Sequence, residues 1–158
     1  MLAAADPHFI FRPARAADLA ALLAVEQHCF TGDRLSARSF RRQIHKQDPG
    51  LIVACDNRQL AGYALVLLNR RTTIARLYSI AIAPAWRGLG LGGQLLSMAE
   101  EYAVNHRRRC LRLEVRRDNH GAIRLYQRLG YRLFGQYEDY YQDHETALRF
   151  EKPLAGGA

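Results

Sequence analysis

Hydrophobic residues recur along the chain with two different periods, which divide it into helices and strands. Apolar residues follow helical spacing within Ala16–Phe30, at Leu19, Leu22, Leu23, Val25 and Phe30. Thr31-Gly-Asp interrupts this pattern. Ser36 is typical of the residue that caps a second helix, in which Phe40 and Ile44 share one face.

Runs of β-branched and aliphatic residues predict the strands. They lie at His8–Arg12, Leu51–Cys55, Leu60–Leu68, Thr72–Ala83, Arg109–Val115, Tyr131–Tyr137 and Glu145–Lys152. The turn-forming run Asp56-Asn-Arg-Gln indicates a hairpin between the second and third strands. In the fifth strand Leu113 and Val115 occupy one face, whereas Arg112 and Glu114 occupy the other.

Two more helices are predicted in the second half of the chain. Apolar residues recur at helical spacing within Leu89–His106. Asn119 can cap a helix that runs to Leu129, and Gly130 follows where a left-handed residue commonly ends a helix. The resulting order of elements predicts one mixed α/β (α+β) domain over residues 1–158, with an ordered core from about residue 8 to residue 154.

Composition narrows the class of protein without deciding it. Hydrophobic residues make up 49% of the 158, and no run approaches the roughly 20 apolar residues of a membrane helix. The first residues lack a basic start and a long apolar run, so we expect no secretion signal and a cytoplasmic protein. The net charge of +8 is compatible with a polyanionic cofactor, an acidic partner or simple solubility, and it gives no firm nucleic-acid signal.

The cysteines and histidines do not form a motif. Cys29, Cys55 and Cys110 are odd in number and far apart, which favours reduced thiols over a disulfide framework. His28 and Cys29 are adjacent, but neighbours on a helix point in different directions, so they make a poor catalytic pair. No spacing is typical of a zinc site, and we expect no metal.

The richest segment is a glycine cluster that follows a strand and opens a helix. It reads Ile80-Ala-Ile-Ala-Pro-Ala-Trp-Arg-Gly-Leu-Gly-Leu-Gly-Gly-Gln. Glycines allow close approach of an anion to the backbone, and a helix N-terminus adds about half a positive charge. With Arg87 beside it, the segment predicts a cradle for a diphosphate.

Two other interpretations of the cluster are possible. Gly88, Gly90 and Gly93 satisfy Gly-x-Gly-x-x-Gly, with Glu114 at the end of the next strand, as in dinucleotide-binding domains. A doubly wound domain would repeat strand–helix units, whereas a three-strand meander precedes this motif. The glycines could also serve only as a tight turn.

The segment Arg87-x-x-Gly90-x-Gly92 resembles the signature with which acetyltransferases of the GNAT superfamily hold the pyrophosphate of coenzyme A. A second block, from Leu113-Glu-Val-Arg through Asn119 to Leu-Gly130-Tyr131, resembles the strand and helix that close over that cosubstrate. The resemblance implies a GNAT fold: a mostly antiparallel sheet of six to seven strands, helices on both faces and a splayed central strand pair. It implies acetyl-CoA as cosubstrate, bound by Ile80, Ala81, Ile82, Arg87, Gly88, Leu89, Gly90, Leu91, Gly92, Gly93, Asn119 and Tyr126.

Acetyl transfer to an amine requires a base for the amine, stabilisation of the tetrahedral oxyanion and a proton for the departing thiolate. The chain most resembles the bacterial ribosomal-protein alanine N-acetyltransferases. This resemblance implies that Glu114 is the general base, directly or through water, and that Tyr126 is the general acid. The alternatives are an exposed, salt-bridging position for Glu114 and, for Tyr126, a packing and cofactor-contact role without proton transfer.

The acceptor is less constrained than the donor. Tyr140 and Tyr141 resemble tyrosines that line the peptide entrance of N-terminal acetyltransferases, and Phe30 lies in the corresponding acceptor loop. The likeness implies the N-terminus of a protein or peptide as acceptor, a ribosomal protein being one possibility. An acidic patch in the same region would favour a small cationic amine instead; it comprises Glu138, Asp139, Asp143 and Glu145. An RNA-binding module and a coenzyme A-binding protein without turnover also stay open.

Overall fold

A computed structural model describes residues 8–57 and 59–154. Its strands are β1 (Ile10–Pro13), β2 (Leu51–Asp56), β3 (Gln59–Leu68), β4 (Ile74–Ile82), β5 (Cys110–Arg116), β6 (Arg132–Tyr137) and β7 (Ala147–Pro153). Its α-helices are α1 (Leu19–Cys29), α2 (Ala37–Ile44), α3 (Leu91–Asn105) and α4 (His120–Arg128). The remaining positions are residues 1–7, Arg58 and residues 155–158. The predictions made for them lie outside the described residues.

The strands form one mixed sheet in the order β1-β2-β3-β4-β5-β7-β6. The first four are antiparallel neighbours in chain order. Strand β5 then lies parallel to β4, because α3 carries the chain back across one face of the sheet. Strand β7 inserts between β5 and β6, antiparallel to both. The predicted fold class, a mostly antiparallel sheet with one helix crossover, is confirmed.

Two apolar clusters hold the helices on opposite faces of the sheet. Leu95, Leu96 and Ala99 of α3 pack with Leu111 and Leu113 of β5 in the larger cluster. On the other face, α1 and α2 cover β1–β4 but not β5–β7. There Phe40 is fully buried and packs edge-on against Tyr63 at 5.6 Å between ring centroids. The far half of that face therefore stays open.

Local capping explains where several elements begin and end. The hydroxyl of Ser36 accepts a hydrogen bond from the backbone N–H of Ser39 and starts α2, as predicted. Helix α1 begins at Leu19, whereas the apolar pattern predicted a helix from Ala16. The carboxylate of Asp18 accepts bonds from the Arg15 backbone and the Arg12 side chain, which holds the first residues in a 3-10 turn.

The central strands separate part-way along their length. Strands β4 and β5 pair from Ile74–Cys110 to Leu77–Leu113 and no further. At this point the register of β4 against β3 shifts, since Leu65 pairs with Ser79 but Val66 pairs with Leu77. Tyr78 is the extra residue of this bulge, and a bulge bends a strand and increases its twist. The predicted splay of the central pair is therefore present.

Candidate active site

The glycine loop has the backbone shape that an anion cradle requires. Gly88 and Gly90 adopt φ angles of +78° and +77°. Residues with a Cβ atom rarely adopt such positive angles, whereas glycine does so readily. Gly90 caps α3 without a side-chain hydrogen bond, so the first backbone N–H groups of the helix stay available to a ligand. Leu89 is exposed, whereas Leu91 is buried, so Leu91 could contact a cosubstrate only through its backbone.

Four further residues of the predicted cofactor set make contacts within the protein: Gly92, Gly93, Asn119 and Arg87. Gly92 and Gly93 face α4, where a Cβ atom at Gly92 would lie 3.3 Å from Leu125. Asn119 caps α4 by accepting a bond from the Ala122 backbone at 3.2 Å. The Nε of Arg87 donates to the carbonyl of Ile82 at 3.2 Å. The hydrogen bonds of Asn119 and Arg87 thus stabilise the fold, and their contacts with a cosubstrate stay a prediction.

The gap between β4 and β5 lies next to the loop. Ile80 and Ile82 point their side chains into the larger cluster, and Ala81 points to the smaller one. The backbone groups of this segment that face β5 have no strand partner, because the β4–β5 pairing has already ended at Leu77. Unpaired strand groups can bind an extended ligand such as the pantetheine arm.

Glu114 lies just beyond the last β4–β5 pair and faces the open half of the sheet. Its side chain is only 8% exposed. One carboxylate oxygen accepts a hydrogen bond from Nε of Arg76 at 3.2 Å, and the other lies 3.6 Å from Nε of Arg149. Glu114 is therefore a buried carboxylate paired with two guanidinium groups. The ion pairs of the salt-bridging interpretation are present, although the side chain is not exposed, and the role of general base stays a prediction.

Tyr126 lies on the opposite side of β5, in the larger cluster. Its ring packs against Tyr131 at 5.9 Å and Phe150 at 6.5 Å. Burial raises the pKa of its phenol above the ordinary value, and the nearby Tyr141 raises it further. The hydroxyl makes no hydrogen bond to another residue of the described chain.

The predicted acceptor tyrosines lie in the loop between β6 and β7. Tyr140 stacks on Tyr137 at 5.5 Å and accepts a hydrogen bond from Nη2 of Arg76 at 2.9 Å. Burial raises the pKa of Tyr141 to about 12, and the charges of Tyr140 and Glu114 act in the same direction. Tyr140 and Tyr141 are therefore close to Glu114.

Two loops meet across the gap. The loop after α1 is fixed to β4, because the thiol of Cys29 donates to the carbonyl of Ile82 at 3.3 Å. The β6–β7 loop continues into β7, the neighbour of β5. Asp33 of the first loop accepts a bond from the backbone N–H of Gln142 in the second at 3.3 Å. We call this contact the arch. Phe30, in the same loop, packs on the smaller apolar cluster.

A groove of about 650 Å³ opens along the first half of β4, on the face that carries Glu114. We call it the acceptor groove. Its lining comprises Leu67, Leu68, Asn69, Thr72, Ile74, Arg76, Arg112, Glu114, Tyr137, Tyr140 and Arg149. Sequence reasoning missed Arg76 and Arg149. The sequence did carry a signal for them. Each arginine stands between two apolar residues of its strand, which indicates that one face of the strand is not covered by the apolar core.

The acidic patch from the sequence does not line this groove. Asp143 binds Arg116 at 2.7 Å, and Asp139 binds His144. Glu145 lies 3.7 Å from Arg117. Glu138 accepts a bond from the side-chain amide of Gln136 at 3.4 Å. Because the other three acids are paired with basic groups of the same chain, the patch gives little support to a cationic acceptor.

Residues 19–131 match the family described as the acetyltransferase (GNAT) family. The chain belongs to the GNAT acetyltransferases. A putative ribosomal protein bS18-alanine N-acetyltransferase of Bacillus subtilis is 30% identical over 138 residues, covering 87% of this chain and 90% of that protein. The ribosomal-protein-S18-alanine N-acetyltransferase of Escherichia coli has a similar structure, with a TM-score of 0.80, 26% identity and coverage of 93% and 94%.

A further GNAT relative, an N-acetyltransferase of Methanocaldococcus jannaschii, is 32% identical over 101 residues. The match covers 60% of this chain and 45% of that protein, so this chain spans less than half of it. Family membership assigns residues 19–131 to a GNAT acetyltransferase domain and excludes the dinucleotide interpretation of the glycines. Among the residues described, no helix is long and apolar enough to span a membrane. Nor do the described histidines, cysteines and carboxylates form a cluster of three that could hold a metal.

Proposed function

We propose that this GNAT acetyltransferase uses acetyl-CoA to acetylate the N-terminal α-amine of a protein or peptide by direct transfer. The observation that best supports the proposal is the position of Glu114. Its carboxylate lies where the gap between β4 and β5 begins, and it also lines the acceptor groove. A donor in the gap and an amine in the groove would therefore meet at one carboxylate.

The residues of the gap and the glycine loop fit the cosubstrate. The free N–H groups at the start of α3 and the positive φ angles of Gly88 and Gly90 suit a diphosphate. Arg87 is exposed beside them and can turn from Ile82 to a phosphate oxygen. The acetyl thioester would supply the reactive carbonyl, and a backbone N–H in Ile80–Ile82 would stabilise its developing charge.

Glu114 is the proposed base for the incoming amine. An α-amine has a pKa of about 8, against about 10.4 for lysine, so it needs less help to lose its proton. Arg76 and Arg149 hold the two oxygens of Glu114 in place without using all of their lone pairs.

Tyr126 is the proposed acid for the departing thiolate. Its raised pKa keeps the phenol protonated throughout the physiological range. A thiol has a pKa of about 8.5, below that of the phenol, so the transfer is uphill and requires the thiolate to form within hydrogen-bond reach of the hydroxyl. The hydroxyl has no partner in the described chain that would compete for this bond.

The test is thiol release from acetyl-CoA with peptides of different N-terminal residues, lysine peptides with blocked N-termini and small amines such as polyamines. We expect turnover with a free N-terminus. General acid–base groups contribute about 10²–10⁴-fold, so Glu114→Gln and Tyr126→Phe should lower kcat by that order while coenzyme A still binds. Turnover only on small amines would refute the peptide assignment. Binding of coenzyme A without turnover on any acceptor would identify a non-catalytic relative.

A further inference from the structure

The floor of the acceptor groove carries more guanidinium groups than carboxylates. Arg76, Arg112 and Arg149 come from three adjacent strands, β4, β5 and β7. Among the described residues that line the groove, Glu114 is the one with a carboxylate. Glu151 of β7 supplies a second carboxylate: it is the direct strand partner of Arg112 and accepts a bond from its Nε at 2.8 Å. Three cations thus share two anions.

The register of the sheet brings two of these cations side by side. Arg76 of β4 and Arg112 of β5 are direct partners in the parallel pairing, and both face the groove. Like charges at directly opposed positions of neighbouring strands destabilise a sheet. An anion bound between or above the two side chains would remove that repulsion.

Arg149 is the guanidinium with the weakest pairing. It packs between two aromatic rings, at 4.7 Å from the centroid of Phe134 and 4.2 Å from that of Tyr137. Its buried Nε has no hydrogen-bond partner in the described chain, and Glu114 approaches only to 3.6 Å. The two rings restrict the guanidinium, and its two Nη groups are left to bind a planar carboxylate.

From this arrangement we infer that the groove selects acceptors with a carboxylate close to the reacting amine, as in a peptide with Asp or Glu among its first two residues. The inference rests on the proposed function, because it assigns the acceptor of that same site. Arg149 is the direct strand partner of Glu114, and Arg112 lies two residues before Glu114 on β5. Two residues of a strand span about 7 Å. An amine at Glu114 and a carboxylate at these arginines are therefore separated by one to two residues of an acceptor.

The experiment compares kcat/KM for peptides that differ at one position. Ala-Asp and Ala-Glu peptides are matched with Ala-Asn, Ala-Gln and Ala-Lys peptides of otherwise identical sequence, and free glutamate is tested beside them. A charge-assisted hydrogen bond contributes about 1.5–3 kcal/mol, so the acidic peptides should exceed their amides about tenfold to a hundredfold. The preference should weaken as salt is raised.

Variants locate the preference in the groove. Arg149→Met keeps an apolar side chain beside the rings but removes the charge, so it should bring the ratio of kcat/KM for Ala-Asp over Ala-Asn close to one. Because Arg149 also contacts Glu114, the ratio rather than the absolute rate is the readout. Arg149→Lys keeps the charge but loses the paired N–H groups, and it should recover only part of the preference. Arg128→Met, on α4 at the opposite face of the sheet, is the matched control and should retain the full preference.

The outcomes separate the inference from the proposed function. Peptide turnover without preference for the acidic members, or with preference for Ala-Lys, would overturn the inference and leave the peptide function standing. Turnover of free glutamate but of no peptide would overturn the peptide function and support recognition of the carboxylate. Equal loss of all peptides in Arg149→Met, with Ala-Asn included, would show that Arg149 supports the site rather than selects the acceptor.

Discussion

The hydroxyl of Tyr63, in the middle of β3, donates a hydrogen bond to the buried carboxyl group of Glu26 on α1. The same hydroxyl accepts a bond from Ser79 of β4 at 2.7 Å. The second oxygen of Glu26 accepts the backbone N–H of Leu35, which precedes α2, at 2.8 Å. One carboxyl group thus connects both helices of this face to the two strands beneath them.

Tyr63→Phe should destabilise the protein by about 1–3 kcal/mol, because it leaves a buried polar group without its partner. Tyr63 and Glu26 are both buried, at 0% and 2% exposed, so water cannot replace the bond. The measurement is the free energy of unfolding in urea. Tyr78→Phe serves as the control, since Tyr78 is 48% exposed and should change little. Equal stability of Tyr63→Phe and the parent would contradict the role assigned to this bond.

The pH dependence of stability should change in Glu26→Gln. Burial raises the pKa of Glu26 above its ordinary value, although the bonds from Tyr63 and Leu35 oppose this. The folded state therefore holds this proton more tightly than the unfolded state. That contribution is complete below the ordinary value of 4.5 and is lost as the pH rises through the raised pKa. Glutamine does not titrate, so the stability difference between parent and variant should decline across this interval. A constant difference would show that Glu26 titrates normally in the folded protein.

Gly90→Ala should weaken acetyl-CoA binding more than it disturbs the fold. No atom lies within 4 Å of the added methyl group, so the effect comes from the φ of +77° rather than from a clash. A left-handed non-glycine residue costs about 1–2 kcal/mol. If the backbone relaxes to avoid this cost, the N–H groups of the loop turn away from the ligand. We expect a rise of about tenfold in the dissociation constant of coenzyme A, measured by calorimetry. Gly121→Ala, in α4, is the control. The added methyl group also has no atom within 4 Å, but Gly121 has no positive φ, so the affinity of this variant for coenzyme A should equal that of the parent.

Asp33→Gly tests the arch. Asp33 has a φ of +54°, which glycine adopts easily, so the substitution removes the carboxylate and keeps the backbone shape. Loss of the bond to Gln142 should raise the KM for the acceptor severalfold and leave the KM for acetyl-CoA unchanged. Asp33→Asn keeps an acceptor oxygen and should resemble the parent. A change in the KM for acetyl-CoA alone would show that the arch serves the donor side.

The sequence predicted the elements well because their signals are local. The caps at Ser36 and Asn119 and the left-handed Gly130, with φ of +95°, each depend on a few neighbouring residues. The acceptor groove could not be predicted in this way. Its composition depends on the register that brings Arg76 beside Arg112, and on the bulge at Tyr78 that ends the β4–β5 pairing. Neither is encoded by a pattern within one segment.

Where β4 and β5 separate, each strand has one side without a neighbouring strand, so the sheet has two additional strand edges within it. Beyond Leu77 and Leu113, the backbone groups that face the gap have no partner on the opposite strand, although the carbonyl of Ile82 accepts bonds from the side chains of Cys29 and Arg87. Strand edges of this kind readily accept any extended chain, including a segment of another protein molecule. By filling the gap, the acetyl donor would act as an additional strand as well as a reactant. The protein with its donor bound would then have a sheet whose interior edges are covered, whereas the protein without it leaves them uncovered.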